Sequence, residues 1–399
     1  MTLTAKQEEG LRVAVARYKA REAYTCIAGF AGTGKSTLIR FIIAALNLQP
    51  QDVCYVAYTG KAAQILKQKG CYNPITAHKL LYKAKLMSNG KYKFEAKPLL
   101  DEEYKLIIVD EVSMLPIEMW RLLLSHRIPV IACGDPEQLP PIDKESDNNI
   151  LAQPHIFLDE IMRQAYDSEI IRFSMWIREG KPISKFPTSN KEVMLITPSE
   201  VTTGMYEWAD QILCATNATR NSINTSMRQL KGFGPEPQIG DKIISLHNQW
   251  EFFSNNIIEP SPLTNGSIGI IQKANLAQAT LPFWICKQPV PVLYTTMEDE
   301  SKEIFTRIPI DYTALTTGEK MLTGKQEYQL RKAKGYIEPP FDFAYAYALT
   351  VWKSQGSEWD KVLGYEERFP FDAETHRKCA YTLATRAKEK LVWVINEKS

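Results

Sequence analysis

The chain has 399 residues, 44% of them hydrophobic, which is enough for two or three folded domains with their own cores. Its 48 Lys and Arg side chains against 46 Asp and Glu leave a net charge of +2, so bulk charge does not indicate a nucleic-acid partner. Seven scattered cysteines without a C-x-x-C pair predict reduced cysteines and argue against a zinc site or a disulfide scaffold.

The first motif is a strand, a glycine-rich loop and a helix. An apolar run at 23–28 precedes the loop GFAGTGKST, which fits G-x-x-x-x-G-K-[ST], and an apolar helix is predicted at 38–46. Here backbone N–H groups converge on a phosphate, Lys35 adds charge toward the β and γ phosphates, and the Ser36 hydroxyl binds Mg²⁺. We therefore predict an ATP and Mg²⁺ site whose loop residues are Gly32, Thr33, Gly34, Lys35, Ser36 and Thr37.

Residues 80–105 interrupt this pattern. Alternating residues flank Asn89-Gly90, the strongest short signal for a β-hairpin, and residues 83–94 carry four lysines together with Tyr92 and Phe94. We predict a small hairpin insertion, and a merely solvated surface hairpin is the alternative to a functional one.

Two carboxylates follow the next buried strand. The apolar run Leu106 to Val109 leads directly into Asp110 and Glu111. In a parallel sheet the carboxyl ends of the strands gather at the ligand edge, so Asp110 is predicted on the Mg²⁺ side and Glu111 as the general base that polarises the attacking water.

The loop GDPEQLPP, residues 134 to 141, follows the apolar run Pro129 to Cys133. Since this strand ends at the same edge, its loop reaches the same site. We predict that Gln138 contacts the γ-phosphate or the attacking water, because a neutral amide senses the γ-phosphate without changing the charge balance. A polar turn without that role is the alternative.

Strand candidates predict two α/β cores and two insertions. The first group of candidates lies at 23–28, 53–58, 105–110 and 129–134, and the second at 193–196, 212–215, 362–365 and 391–395. Short apolar runs separated by Asn-Gly and Pro signals predict a mostly β segment between them. The predicted domains are a first core at 1–79 and 106–152, a hairpin insertion at 80–105, a second core at 153–240 and 343–399, and a β insertion at 241–342.

Five motifs, in order along the chain, resemble those of superfamily 1 helicases. GFAGTGKST, DEVSM and GDPEQLPP resemble motifs I, II and III, YALTVWKSQGSEW at 347–359 resembles motif V, and YTLATRAK at 381–388 resembles motif VI. The match is closest to the RecD-like and phage Dda-like branch, superfamily 1B. That branch implies two RecA-like P-loop NTPase cores, a hairpin insertion 1B and an SH3-like β insertion 2B.

Shorter segments extend the resemblance. LTAKQ resembles the Q motif, in which Gln7 would contact adenine, and VAYTGKAA, TAH and LDEIMRQ resemble motifs Ia, Ib and IV. The chain departs from the usual pattern at Tyr58, where the family has proline, and at Trp352, where it has histidine. Both departures bear on strand contact, because tryptophan offers a stacking face in place of a hydrogen-bonding ring.

Two arginines are predicted to complete the ATP site from the second core. Arg163 lies in the segment that resembles motif IV, and Arg386 follows an apolar, strand-like segment in the one that resembles motif VI. A guanidinium reaching across the cleft would stabilise the charge of phosphoryl transfer and draw the cores together. The resemblance adds Gln355 to the γ-phosphate network, and a surface salt bridge is the alternative for either arginine.

Single-stranded nucleic acid is predicted to cross both cores. The expected contacts are Thr59, Thr76, His78, Thr350, Trp352 and Lys353. Hydroxyls and a lysine bind phosphates without reading sequence, and an aromatic face stacks on any base. A capping or core histidine at 78 and a core tryptophan at 352 are the alternatives. The resemblance also implies a pin at Asn89, Gly90 and Tyr92 that splits the duplex at a fork.

The sequence thus predicts an ATP-dependent DNA helicase that moves 5′-to-3′, its direction coming from the resemblance alone. Alternatives are an RNA-directed relative and an ATP-gated binding module without unwinding. Expected partners are single-stranded and fork DNA, with a single-strand-binding or replication protein as a further candidate. We expect a monomer in a bacterial or phage-infected cytoplasm. The sequence shows neither a leader that would predict export nor an apolar run of about 18 residues that would predict a membrane-spanning helix.

Overall fold

The computed structural model describes residues 3–86, 92–140, 149–162, 167–189, 191–257, 260–333, 336–367 and 372–396. The chain divides into two compact units. The larger unit comprises Met1–Leu81, Lys97–Arg220 and Leu349–Ser399, and the smaller one Tyr82–Ala96 and Asn221–Ala348. The smaller unit thus contains residues 82–96 of the predicted hairpin insertion and all of the predicted β insertion, and its second segment begins at residue 221, before the predicted boundary at 241.

A six-stranded parallel sheet forms the N-terminal part of the larger unit. The strands up to residue 158 are β1 (Tyr24–Gly29), β2 (Val53–Ala57), β3 (Ile75–Thr76), β4 (Tyr82–Leu86), β5 (Tyr92–Ala96), β6 (Leu106–Val109), β7 (Val130–Gly134) and β8 (Ile156–Leu158). The sheet order is β3-β2-β6-β7-β1-β8, and all these neighbours pair in parallel. The helices of this part are α1 (Ala5–Lys19), α2 (Lys35–Ala45), α3 (Gly60–Gln68), α4 (Ala77–Leu81) and α5 (Ile117–Ser125).

The apolar runs of this sheet are explained by its burial. β6 and β7 are buried along their whole length, and Leu38 and Ile42 of α2 join Ile108 and Ile131 in one core cluster. Parallel strands covered on both faces need such continuous apolar runs. β8 pairs with β1, so the first sheet extends beyond residue 152, where the sequence predicted the end of the first core.

A second parallel sheet follows in the same unit. The strands after residue 158, which include those of the smaller unit, are β9 (Val193–Ile196), β10 (Gln211–Cys214), β11 (Lys242–Ser245), β12 (Gln249–Phe253), β13 (Pro262–Leu263), β14 (Ile268–Ala279), β15 (Val290–Asp299), β16 (Ile304–Asp311), β17 (Phe343–Tyr345), β18 (Ala348–Thr350), β19 (Trp359–Tyr365) and β20 (Ala387–Val394). The second sheet has the order β18-β10-β19-β20-β9. The later helices are α6 (Glu169–Arg178), α7 (Thr203–Trp208), α8 (Asn217–Leu230), α9 (Tyr312–Thr317), α10 (Gly324–Lys332) and α11 (Ala373–Ala384).

The smaller unit is mostly β structure. Its five-stranded sheet has the order β16-β15-β14-β11-β17, and β4 pairs with β5 in a separate antiparallel ladder. β14 and β15 pair from Gly269 opposite Asp299 to Ala279 opposite Val290. A Cβ at Gly269 would lie 2.5 Å from the carbonyl oxygen of Glu298, so this close approach requires glycine. In the part of the chain that the structure describes, no helix has both the length and the apolar character to cross a membrane.

Candidate active site

The phosphate-binding loop joins β1 to α2. Gly32 and Gly34 have φ angles of 77° and 80°, a region in which side chains are strained. A Cβ at Gly34 would also lie 2.4 Å from Nε2 of Gln7. The loop therefore brings its backbone N–H groups to the N-terminus of α2, where the partial positive charge of a helix favours an anion.

Lys35, the first residue of α2, holds its ammonium group against this loop. Its Nζ donates to the carbonyl oxygens of Gly29 at 2.7 Å and Phe30 at 3.0 Å. Thr33 is buried and donates from Oγ1 to the same Phe30 oxygen at 2.9 Å, whereas Ser36 is exposed at the start of the helix. The loop thus carries one cation and one exposed hydroxyl at the phosphate position.

Gln7 lies on the loop backbone. Its Nε2 donates to the carbonyl oxygen of Thr33 at 3.1 Å, and its Oε1 accepts from the backbone N–H of Thr4 at 3.1 Å. The second bond closes a capping box at the start of α1, in which Thr4 Oγ1 also accepts from the Gln7 N–H. Both ends of the Gln7 amide are therefore bonded within the protein, and an adenine contact stays a prediction.

Asp110 and Glu111 follow β6 at the same sheet edge. Burial raises the pKa of both carboxyls, and that of Glu111 reaches about 7, although the Arg386 charge opposes the shift. Glu111 has a φ angle of 50°, a strained left-handed conformation for a residue with a side chain. Its Oε2 is buried and has no hydrogen-bond partner among the described residues. A carboxylate that titrates near neutrality and has one oxygen without a hydrogen-bond partner has the properties of a general base.

Arg386 comes to this carboxylate from the second sheet. It is 3% exposed, and its Nη1 lies 4.0 Å from Oε1 of Glu111. The guanidinium is held by the carbonyl oxygens of Thr382 and Ser357, each at 3.1 Å. The two charged groups line one pocket with further polar and apolar residues, among them Tyr58, Lys69, Asp110, Gly356 and Glu358. Arg163 lies outside the described residues.

The segment before Arg386 is helical, so the prediction of a strand-like segment was wrong. Residues 381–384 are the last turn of α11, whose first turn is capped by Asp372 Oδ1 accepting from the Thr375 N–H at 2.8 Å. Tyr381 and Thr382 are residue types favoured in strands, but the cap and the packing of α11 determine the local structure. Arg386 therefore lies just beyond the C-terminus of α11.

The GDPEQLPP loop is bonded to the second core through its backbone. Gln355 Nε2 donates to the carbonyl oxygen of Leu139 at 2.7 Å, and Thr382 Oγ1 accepts from the Leu139 N–H at 2.9 Å. Gln138 is half-buried, and its backbone N–H donates to the carbonyl oxygen of Asp135 at 3.3 Å. In this structure Gln355 therefore contacts the loop itself, and its role toward a γ-phosphate stays a prediction.

Three α11 residues that the sequence analysis did not single out also contact the GDPEQLPP loop. Arg377 pairs with Glu137, Tyr381 donates from Oη to Asp135 Oδ2 at 2.7 Å, and Thr382 binds Leu139 as described. Positions 377 and 381 are four residues apart and lie on one face of a helix, which is the signal that the sequence offers for these two. The partners of the three α11 residues are every second residue of the loop, namely Asp135, Glu137 and Leu139.

The predicted strand-contact residues occupy the ends of β2, β3 and β18. Three threonine hydroxyls there accept backbone N–H bonds, namely Thr59 from Ala62 at 3.1 Å, Thr76 from Lys79 at 3.3 Å and Thr350 from Lys353 at 3.4 Å. Such a hydroxyl still has a proton to donate to a phosphate.

The rings among these contacts are half-buried. The His78 ring lies 5.8 Å from that of Tyr58, burial lowers the His78 pKa, and Trp352 begins the 3₁₀ turn Trp352–Ser354 beside the exposed Lys353. Of the predicted pin, Asn89 and Gly90 lie outside the described residues, and Tyr92 is described only as the first residue of β5.

Ser36 and Asp110 form a sparse oxygen set. No group of three or more His, Cys, Asp or Glu residues suited to a metal ion occurs in the described parts of the chain. A hydroxyl and a carboxylate beside a phosphate loop nevertheless fit Mg²⁺, which keeps several waters and takes its remaining ligands from substrate phosphates.

Together, the phosphate loop, the acid pair and the arginine define the class: a P-loop fold whose candidate nucleotide site is shared by two sheets. Two family models match the chain, an AAA domain over residues 2–196 and a UvrD-like helicase C-terminal domain over residues 345–394. These matches cover parts of both sheets.

Two of the curated relatives are DNA helicases. The chain is 27% identical over 395 residues to the ATP-dependent RecD2 DNA helicase of Deinococcus radiodurans, covering 91% of this chain and 46% of the relative. It is 31% identical over 146 residues to the ATP-dependent DNA helicase dda of Enterobacteria phage T4, covering 35% of this chain and 33% of that one. The chain thus spans less than half the length of either relative.

Solved structures show the fold. A crystal structure of Pif1 helicase from Bacteroides with ADP-AlF3 and ssDNA matches with a TM-score of 0.54 at 17% identity, covering 100% of this chain and 95% of that chain. Pif1 helicase from Candida albicans matches with a TM-score of 0.50 at 19% identity, covering 100% and 96%. The predicted pair of RecA-like cores is confirmed, and the chain is similar to superfamily 1B helicases, in agreement with the resemblance of its motifs.

Proposed function

We propose that this chain hydrolyses ATP between its two RecA-like cores and uses the reaction to move along single-stranded DNA and separate a duplex. The observation that supports this most is the approach of Arg386 to Glu111, at 4.0 Å between Nη1 and Oε1. When an arginine of one core contacts the catalytic acid of the other, the rate of hydrolysis and the relative position of the two cores depend on each other. A static binding module has no use for that dependence.

Each proposed role at the phosphate follows from the chemistry of its group. Lys35 and the loop N–H groups bind the β and γ phosphates, and Glu111 activates the attacking water, for which a pKa near 7 is suited. Arg386, with Arg163, stabilises the charge that develops on the γ-phosphate. Gln138 senses that phosphate from the GDPEQLPP loop.

Mg²⁺ is the proposed metal, with Ser36 and Asp110 as its protein ligands. When bound with ATP, the metal would neutralise the negative charge that develops on the phosphates. Asp110 is half-buried, and desolvation raises its pKa although the Lys35 charge opposes the shift, so a cation at this position would favour the charged carboxylate. This is the physical reason to expect the metal here.

The DNA strand is proposed to cross the carboxyl ends of β2, β3 and β18. Thr59, Thr76 and Thr350 would donate their remaining hydroxyl protons to phosphates, and Trp352 would stack on a base. When ATP closes the cores, the two sets of contacts would approach along the strand, and hydrolysis would release one set. Such contacts are weak individually and depend on salt concentration.

The finer features of the proposal come from the family. Movement is 5′-to-3′, the β4–β5 hairpin acts as the 1B pin, and the five-stranded sheet of the smaller unit is an SH3-like 2B insertion. The first core is residues 1–79 and 106–158, now including β8, and the second comprises the remaining α/β segments to residue 240 and from residue 343. A monomer working on fork DNA in the cytoplasm, with a single-strand-binding or replication protein as partner, completes the proposal.

Unwinding of matched partial duplexes tests this function. Substrates carry either a 5′ or a 3′ single-stranded tail of DNA, or the same tails of RNA, and the Lys35→Ala variant serves as the control without phosphate binding. We expect ATP-dependent strand release from the 5′-tailed DNA alone. Equal release from RNA tails would favour an RNA-directed enzyme, and ATP turnover that does not rise with single strands would favour an ATP-gated module.

A further inference from the structure

Tyr381 joins two loops of the first core from a helix of the second. Its side chain is 1% exposed. The hydroxyl donates to Asp135 Oδ2 at 2.7 Å and accepts from the backbone N–H of Ala31 at 3.1 Å. Ala31 lies in the phosphate loop, and Asp135 lies in the GDPEQLPP loop. One hydroxyl therefore connects the loop that binds phosphate with the loop that is proposed to sense it.

The direction of both hydrogen bonds is fixed by chemistry. A backbone N–H only donates and a carboxylate only accepts, so the hydroxyl proton must point to Asp135. Phenylalanine would occupy nearly the same space and would leave the buried Asp135 carboxylate and the Ala31 N–H without this partner. The hydroxyl oxygen is thus the one atom whose removal tests the connection.

The same helix turn leads to the catalytic arginine. Thr382, next to Tyr381, accepts the Leu139 N–H with its side chain, and its carbonyl oxygen accepts from Arg386 Nε at 3.1 Å. A shift of the phosphate loop would therefore move Tyr381 and Arg386 through one short, buried helical segment. Buried side chains in close contact transmit such shifts because packed interiors have little free space.

We infer that Tyr381 is a positioning residue for ATP hydrolysis, whose hydroxyl couples the phosphate loop and Asp135 to the helix that delivers Arg386. This inference rests on the proposed function. Tyr381 does not touch the reacting atoms. It determines the position of Arg386 when a nucleotide occupies the phosphate loop. Its loss should lower the DNA-stimulated kcat and leave the KM for ATP nearly unchanged, because Lys35 and the loop still bind phosphate.

The test compares Tyr381→Phe with Tyr206→Phe. Tyr206 makes a hydroxyl-to-hydroxyl hydrogen bond with Tyr365 in the second core, so its variant controls for the loss of one part-buried tyrosine bond. We expect the DNA-stimulated kcat of Tyr381→Phe to fall about tenfold to a hundredfold, as for a lost hydrogen bond to a charged group. The Tyr206→Phe variant should keep the kcat of the unchanged protein.

Two further measurements separate positioning from folding. Asp135→Ala combined with Tyr381→Phe should lose no more kcat than the worse single variant, since both remove one connection. Amide exchange of the Ala31 segment in nucleotide-free protein should be faster in Tyr381→Phe than in Tyr206→Phe.

The inference would be overturned by an unchanged kcat in Tyr381→Phe, by equal losses of kcat in the two tyrosine variants, or by additive losses in the double variant. The proposed function would still stand in each case. If the unchanged protein shows no DNA-stimulated turnover, the proposed function falls, and the role of Tyr381 falls with it.

Discussion

The two parallel sheets contribute to the candidate site in different ways. The first supplies backbone N–H groups and carboxylates at the ends of its strands, where Lys35, Asp110 and Glu111 follow one another across a sheet edge. The second supplies side chains from one helix, α11, and the residue just beyond it, Arg386. In the proposed function the first sheet binds a phosphate by itself, whereas the second contributes only when α11 lies against the first. Nucleotide binding and hydrolysis should therefore respond separately to substitution.

Replacing Arg386 tests this separation most strongly. Arg386→Ala should lower the DNA-stimulated kcat about a thousandfold or more, as expected for an arginine that stabilises phosphoryl transfer, while ATP still binds. Steady-state ATPase kinetics and fluorescent-nucleotide binding measure the two effects. Because Arg386 is buried, Arg386→Lys with a melting curve serves as the conservative control. Loss of nucleotide binding in a folded Arg386→Lys protein would mean that the contributions are not separable.

Glu111→Gln is expected to remove the contribution of the first sheet to ATP hydrolysis but not its contribution to ATP binding. We expect kcat to fall about a hundredfold to a thousandfold, because a glutamine amide cannot accept a proton from water. The dissociation constant for ATP should change little. A variant with normal turnover would remove Glu111 from the role of general base, and the neighbouring exposed Glu118→Gln provides the matched control.

Trp352→Ala sharpens the comparison on the side of the DNA. If the half-buried ring stacks on a base, single-strand affinity should fall by about 1 to 3 kcal/mol, measured by fluorescence anisotropy at fixed salt. The basal ATPase rate without DNA should stay the same. Unchanged affinity with a lower melting temperature would identify Trp352 as a core residue.

The pH dependence is the smallest expected effect. Burial raises the folded-state pKa of Glu111 to about 7, so the charged form that acts as base accumulates as pH rises through that value. Between pH 6 and pH 8 the kcat should rise about tenfold, which follows from single-site titration at pKa 7. The residual rate of Glu111→Gln should lack this rise, and a rise that persists in Glu111→Gln would assign the titration to another group.

Contiguous motifs made part of this molecule predictable. The phosphate loop and the acid pair each lie directly after a buried strand, so apolar runs and parallel-sheet geometry together predict where they gather. The strand β8 was too short to recognise, since only Ile156 and Leu158 of its three residues are buried. Its pairing with β1 extends the first core beyond the predicted boundary.

The contacts of α11 could not be predicted, because they depend on tertiary placement. Nothing local in the sequence distinguishes Tyr381 from a core tyrosine until Asp135 and Ala31, each more than 240 residues away, are brought to its hydroxyl. Gln355 and Gln7 illustrate the same limit. Their assignment to a ligand came from resemblance, whereas the structure bonds both amides to loop backbone.

A crystal structure with a non-hydrolysable ATP analogue, Mg²⁺ and single-stranded DNA tests the central claim most directly. We predict an Arg386 guanidinium nitrogen about 3 Å from a γ-phosphate oxygen, with Glu111 facing the water in line with that phosphate. An Arg386 side chain that points away from the phosphate while the nucleotide fills the loop would contradict the claim that the second core completes the site.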